Sequence, residues 1–242
     1  MNSTSSGNLY LIPVPIVANT YNQVLPEYNR YIVQQIEHFL VEDVSSARKH
    51  IKAIGHAKPI AELHFNCLDK HNPMQDIRSF MQPLQEGKDI GVLAEAGCPG
   101  IADPGAWVVQ YAHKNGITVI PLVGPCSILL ALMASGFNGQ NFAFHGYLPI
   151  DKVGRKQAIK KLEMAAWQSG QTQIFIETPY RNDIILEILL ETCRPSTWLC
   201  IGKNITDPKG WIKSNTIQNW KEDKHMLHKV PTVFLLARQE QF

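Results

Sequence analysis

The stretch Asp89–Leu122, DIGVLAEAGCPGIADPGAWVVQYAHKNGITVIPL, holds a strand, a loop, a helix and a second strand in succession. DIGVLAE (Asp89–Glu95) is short and mostly apolar, as expected of a parallel strand covered on both faces. Pro104 suits the first turn of a helix running to about Lys114, with Gly116 as its C′ residue. Ile117–Leu122 is the next strand. Strand–helix alternation with connections this short implies a mainly parallel sheet with helices on both faces.

The same rhythm extends in both directions. Upstream, LYLIPVPI (Leu9–Ile16) is a first strand that Pro13 ends, since proline cannot donate to a central ladder. Tyr31, Ile32, Ile36, Phe39 and Leu40 recur at helical spacing. Glu42 and Asp43 close that run, Ser45–Ile54 is a short helix stopped by Gly55, and Met74–Gln85 is another helix. Downstream, VGPCS (Val123–Ser127) leads into a helix, Ile128–Ala134. The pattern restarts with strand Phe142–Leu148, helix Arg155–Trp167, strand Thr172–Thr178 and helix Asn182–Thr192. Thr197–Ile205 and Pro231–Ala237 are strand-like, with Trp211–Ile217 a possible strand between them. The expected organisation is a flexible leader over 1–8, an N-terminal α/β domain over 9–125 and a C-terminal α/β domain over 126–242.

Composition narrows the function. The chain has 242 residues, 45% hydrophobic and 18% charged, as an ordinary water-soluble globular protein does. No apolar run approaches the roughly 20 residues of a membrane-spanning helix, and the polar start MNSTSSGN lacks the layout of a signal peptide. Five widely spaced cysteines without a C-x-x-C pair argue against a disulfide framework and a zinc site, which leaves a reducing cytoplasm as the expected compartment. His225 and His228 have no recognisable ligand partners, so no metal is expected. Net charge is +2, divided as −2 up to residue 150 and +4 beyond it. The basic excess gathers in Lys152–Lys161, where a solvated helix face explains it as well as an RNA contact does.

Ligands of open parallel sheets bind beyond the carboxyl ends of the strands. Four loops are therefore candidates: Pro13–Ala18, Glu95–Gly105, Val123–Ser127 and Glu177–Arg181. Ala96–Gly105 holds three glycines and two prolines beside Glu95 and Asp103. Glycine lets main-chain groups approach a ligand, and proline fixes the path. By composition alone a tight turn with a helix cap at Asp103 is the favoured reading, and a ligand loop the second. Ser127 caps a helix or offers its hydroxyl to a small polar ligand. Glu177 and Arg181, four apart, pair with each other or leave Glu177 facing a cleft. No G-x-G-x-x-G, G-x-x-x-x-G-K-[ST] or G-x-S-x-G follows any strand, so neither a triphosphate site nor a serine nucleophile is announced.

LAEAGCPGIADPG (Leu93–Gly105) resembles the D-A-G-T-P-x-x-S-D-P-G loop of the tetrapyrrole methylase superfamily, and within it the ribosomal RNA small subunit methyltransferase I family. The resemblance continues in order through LYLIPVPI, VED (Val41–Asp43), PLVGPCSILLALMASG (Pro121–Gly136), FHGYLP (Phe144–Pro149), a Gly-Arg-Lys at 154–156 and FIETPYR (Phe175–Arg181), across roughly residues 9–237. Departures fall at Val14 and Val17, where the family has Thr and Gly, at GKNITD (Gly202–Asp207) and at Lys229–Pro231.

The resemblance implies a two-domain α/β fold, with a mainly parallel sheet first and a mixed sheet second. It implies S-adenosylmethionine in the cleft between them, a homodimer, and methylation of ribosomal RNA at a ribose 2′-hydroxyl. The cofactor residues it points to are Pro13, Glu95, Gly97, Cys98, Pro99, Ile101, Ala102, Asp103, Pro125, Cys126, Ser127, Phe175 and Glu177. Methyl transfer needs alignment and a proton acceptor, for which Glu42 and Glu177 are the catalytic candidates. Arg155, Lys156 and Arg181 are the candidates for RNA. A small or tetrapyrrole-like acceptor and a catalytically silent cofactor-binding adaptor are the alternatives.

Overall fold

Short apolar strands alternating with helices build the first half of the chain into one fully parallel sheet. The computed structural model describes residues 6–68, 76–223 and 226–238, and the chain divides into two units, Met1–Cys126 and Ser127–Phe242. In the first unit the elements run β1 (Leu9–Ile12), α1 (Tyr21–Val24), α2 (Glu27–Val33), β2 (His38–Val41), α3 (Val44–Ile54), β3 (His64–Cys67), α4 (Ile77–Phe80), α5 (Gln82–Gln85), β4 (Ile90–Leu93), α6 (Gly105–Lys114) and β5 (Val119–Pro121). The strand order is β3-β2-β4-β1-β5, every neighbouring pair being parallel.

Alternation along these strands explains the two cores. Ile12, Phe39, Val41 and Leu93 pack on one face with Ile32, Val33 and Ile51 of α2 and α3. Leu9, Leu40, Ile90 and Val92 pack on the other with Leu84, Val108 and Ala112 of α5 and α6. Burying both faces is what makes the strands read as continuous apolar runs.

The second unit contains α7 (Ser127–Ser135), β6 (Phe142–Tyr147), α8 (Lys152–Ser169), β7 (Thr172–Ile176), α9 (Asn182–Thr192), β8 (Trp198–Lys203), β9 (Trp211–Thr216), α10 (Ile217–Trp220) and β10 (Thr232–Ala237). Its sheet runs β6-β7-β10-β8-β9. β6 and β7 are parallel, and the remaining neighbours are antiparallel. β10 is buried along its whole length in the centre. Phe175 stacks on Phe234 with ring centroids 5.5 Å apart, in a core shared with Ile159, Leu162, Ile185 and Leu189 of α8 and α9.

Several elements differ from the sequence reading. Phe39 and Leu40, placed at helical spacing with Tyr31 and Ile32, lie in β2; α2 stops at Val33 and the two elements are separate. The helix over Met74–Gln85 is two single turns, because Pro83 has no N–H and its ring obstructs the preceding turn; Met74 lies outside the described residues, as does His225. β3 carries no apolar signature, being an edge strand with His64 and Cys67 exposed. The leader's last two residues are tied down: the Gly7 N–H donates to Leu84 O at 2.8 Å, and the Asn8 N–H to Asp89 Oδ1 at 2.7 Å.

Candidate active site

At the carboxyl edge of the first sheet, Ile12 of β1 pairs with Leu93 of β4. The chain runs outward from β1 to β2 and β3, returns to β4, then steps across β1 to β5. The reversal of winding falls at β4 and β1, where open α/β sheets hold their ligands. Pro13 and Ala94 leave the sheet side by side there.

The loops after β1, β4 and β5 are bound to one another. Val14 and Gly97 exchange both main-chain hydrogen bonds, at 2.9 and 3.0 Å. The Cys98 thiol lies 3.4 Å from Pro125 O and 3.7 Å from Gly124 O. Asn29, buried on α2, donates its amide to Val123 O at 2.7 Å. Gly97 has φ +76, and a Cβ there would come within 3.3 Å of Pro125 O; one on Gly124 would fall 2.2 Å from Pro13 Cβ. Only glycine lets these main chains approach so closely.

Asp103 organises the middle loop. Its Oδ1 accepts from the Gly100 N–H at 2.6 Å and from the Gly105 N–H at 2.8 Å, closing a turn and holding the start of α6. Ala102 is held at φ +62, a conformation that costs a non-glycine residue energy. Ile101 is half exposed at the loop's tip, at 50%. Burial, then the neighbouring Cys126 and Asp103, raise the Cys98 thiol above its ordinary pKa, so it stays protonated and acts as a donor. Ser127 is the first residue of α7. The structure thus brings Pro13, Gly97, Cys98, Pro99, Asp103 and Pro125 together in one unit. Glu95 stands exposed at the edge of the loop and Glu42 half-buried after β2.

In the second unit, Glu177 follows β7 and is 4% exposed. Its Oε1 accepts from Arg181 Nη2 at 2.6 Å and from the Thr178 N–H at 2.7 Å. Its Oε2 is buried and has no hydrogen-bond partner among the described residues. Of the two sequence readings of Glu177 and Arg181, pairing is the one found, yet it occupies only one carboxylate oxygen. A buried carboxylate oxygen lacking a donor is costly unless something donates to it. Phe175, by contrast, has no exposed surface and belongs to the core.

Two basic candidates have structural partners. Arg155 is 5% exposed and donates Nε to Pro149 O at 3.1 Å and Nη2 to Ile150 O at 2.5 Å, so it clamps the loop between β6 and α8. Lys156 pairs with Glu191 of α9 at 2.7 Å.

No protein-family model matches the chain. It is, however, 30% identical over 209 residues to the ribosomal RNA small subunit methyltransferase I of Escherichia coli O157:H7, covering 86% of this chain and 68% of that protein. The chain belongs to that family. The methyltransferase I of Buchnera aphidicola from Schizaphis graminum is also 30% identical, over 98% of this chain and 80% of its own. The crystal structure of the methyltransferase CobJ superposes with a TM-score of 0.64 at 17% identity, covering 96% of this chain and 95% of that one. A methyltransferase I chain with the two-sheet α/β fold shared with the methyltransferase CobJ is therefore an enzyme of methyl transfer.

Two buried amides of this family member escaped the sequence reading. Asn29 shares the buried face of α2 with Ile32 and Val33. Asn182 opens α9 on the face of Ile185, Leu186 and Leu189 and donates to Val230 O at 2.6 Å. The available signal was a polar residue placed three and four positions before apolar ones, where the helix buries it. Among the described residues no group of three or more His, Cys, Asp or Glu could hold a metal, and no helix is long and apolar enough to cross a membrane.

Proposed function

We propose that the protein transfers a methyl group from S-adenosylmethionine to a ribose 2′-hydroxyl of small-subunit ribosomal RNA. The observation that carries this reading is the bound trio of loops after β1, β4 and β5. Their glycine-dependent close approach lines the sheet's switch point with main-chain groups, and Glu95 and Asp103 add negative charge. Such a lining fits a small zwitterionic ligand with a positive centre. S-adenosylmethionine supplies a methyl group already activated by its sulfonium charge. The residues proposed to hold it are Pro13, Gly97, Cys98, Pro99, Ile101, Ala102, Asp103, Pro125 and Cys126, with Glu95 and Ser127 at the margins.

The protein's remaining tasks are alignment and acceptance of one proton. The new bond forms between the ribose oxygen and the methyl carbon, the carbon–sulfur bond breaks, and the hydroxyl proton goes to the carboxylate of Glu177. Its Oε2 is the acceptor, since Arg181 and Thr178 hold Oε1 and thereby fix the carboxylate's orientation. Glu42 is the second candidate base. Arg181 takes part by orienting Glu177.

The active form is read as a cytoplasmic homodimer. Five free thiols suit a reducing compartment, and Leu129 and Met133, exposed on α7 at 49% and 79%, suit a subunit interface. Light scattering tests the dimer. Labelled S-adenosylmethionine incubated with small ribosomal subunits, free RNA and small-molecule extract tests the reaction. Label in RNA, at an alkali-resistant position, is expected; label only in small molecules would replace RNA with another acceptor.

A further inference from the structure

The β7 end that carries Glu177 and Arg181 is flanked by residues that the reading above leaves unused. Parallel β6 finishes beside β7, with Tyr147 opposite Ile176. Antiparallel β10 starts there, with Val233 opposite Ile176. Thr232 of β10 faces Lys203 at the end of β8, and Lys203 faces Trp211 at the start of β9. All five strands therefore present an end along one edge, about 19 Å across at the usual strand spacing.

Aromatic and basic side chains cluster along that edge. Tyr147 is 56% and Tyr180 67% exposed. Lys229 Nζ lies 5.9 Å from the centroid of the Tyr180 ring, and His228 meets the same ring edge-on at 6.1 Å. On the far side of β10, Lys203 Nζ lies 5.9 Å from the Trp211 ring and donates to Met226 O at 3.0 Å. Two lysines, each over an aromatic ring, thus flank the first residues of the central strand. Lys229 is held at φ +61, with its N–H on Pro179 O at 2.9 Å. A non-glycine residue in that conformation costs energy, and here it sets the lysine against Tyr180.

We propose that this edge is a binding ridge for single-stranded RNA. Bases stack on Tyr180 and Tyr147 while Lys229 and Lys203 meet phosphates, bringing an unpaired nucleotide to the Glu177 end of β7. The ridge rests on the RNA-methylation reading and assigns it a surface. Exposed rings interleaved with cations suit unstacked bases on a phosphate backbone. A duplex hides its base faces and has no use for the rings.

The test is RNA binding and turnover by Tyr180→Ala combined with Lys203→Gln and Lys229→Asn, asparagine being tolerant of the positive φ. Wild-type protein is expected to bind a single-stranded fragment of small-subunit RNA more tightly than the same sequence in duplex form. In the triple variant, affinity is expected to fall about 30-fold or more. Its salt dependence should flatten by about 1.4 in slope, about 0.7 for each phosphate that a lysine no longer neutralises. KM for RNA should rise while kcat at saturating RNA holds. Tyr180→Phe alone keeps the stacking face and should bind as wild type does, which separates stacking from misfolding. If wild type methylates RNA and a stably folded triple variant shows the same KM and salt slope, the ridge is wrong and the reaction stands. If wild type binds the methyl donor but labels no RNA, both fall.

Discussion

In the first unit, the groups crowded at the strand ends are peptide units: the Val14–Gly97 bridge, the carbonyls of Gly124 and Pro125, and the turn closed by Asp103. In the second unit they are side chains, with Glu177 gripped by Arg181 and Tyr180 flanked by Lys229 and His228. A main-chain pocket is made by where the strands end and by which positions can be glycine. A side-chain site is made by which residues a stable sheet end displays. The first suits a fixed small ligand. The second allows recognition of an acceptor to change while the fold persists.

The sharpest break in this comparison would come from Glu177. Glu177→Gln keeps an acceptor oxygen for Arg181 but removes the base, and kcat should fall by about 100-fold or more with affinity for the methyl donor unchanged. Glu42→Gln should change kcat far less. Steady-state methyl transfer by the two variants decides between them, and the reverse ranking would move the base to the first unit.

The next effect belongs to the main-chain side. Gly124→Ala drives a Cβ to within 2.2 Å of Pro13 Cβ, and forced overpacking of this kind costs about 2 kcal/mol. Denaturant melts should show that loss, and calorimetry a weakening of donor binding. A variant with full donor affinity would mean that the loops' close approach is unrelated to the ligand.

Acid should distinguish the units as well. His50 of α3 is 5% exposed, its Nδ1 lies 3.2 Å from the Tyr21 hydroxyl, and its Nε2 has no hydrogen-bond partner among the described residues. Burial lowers its pKa to about 4. The folded first unit therefore keeps this ring neutral, whereas the unfolded chain takes up a proton below about pH 6.5. Stability is whole above that value and is lost as pH falls towards 4, by about 3 kcal/mol for this one group. His50→Gln should flatten that slope. Hydrogen exchange should show the acid loosening in α1 and α3 before the second sheet.

The smallest effects concern the basic run of α8. Arg155→Ala removes two charge-assisted hydrogen bonds made by a buried guanidinium to Pro149 O and Ile150 O and should cost about 3 kcal/mol without changing the salt slope of RNA binding. Lys156→Ala breaks an exposed pair and should leave the melting temperature within about 2 °C of wild type. A changed salt slope in either variant would extend the RNA surface beyond the β7 edge.

Residues 89–122 were legible because burial on both faces forces apolar strands and because proline and glycine punctuate the helix between them. Asn182–Thr192 was legible through its apolar face. β3 was not, since an edge strand with exposed His64 and Cys67 has no period to detect. Phe39 and Leu40 fell into a helical register by chance, as two short elements close in sequence can do. The loop Ala96–Gly105 announced itself by composition, yet its attachment to Val14 and Pro125 is a tertiary fact that no local pattern encodes. The same holds for Arg155: a basic run looks alike whether its arginine faces water or carbonyls, and only the β6–α8 loop decides.

The most direct measurement is calorimetric titration of S-adenosylmethionine and S-adenosylhomocysteine into wild type and Gly97→Val. One-site binding is expected for wild type. In Gly97→Val, where a branched side chain meets Pro125 O at a positive φ, binding should be lost while the second unit still melts cooperatively. Absence of binding by folded wild type, or equal affinity in the variant, would contradict the assignment of these loops to the methyl donor.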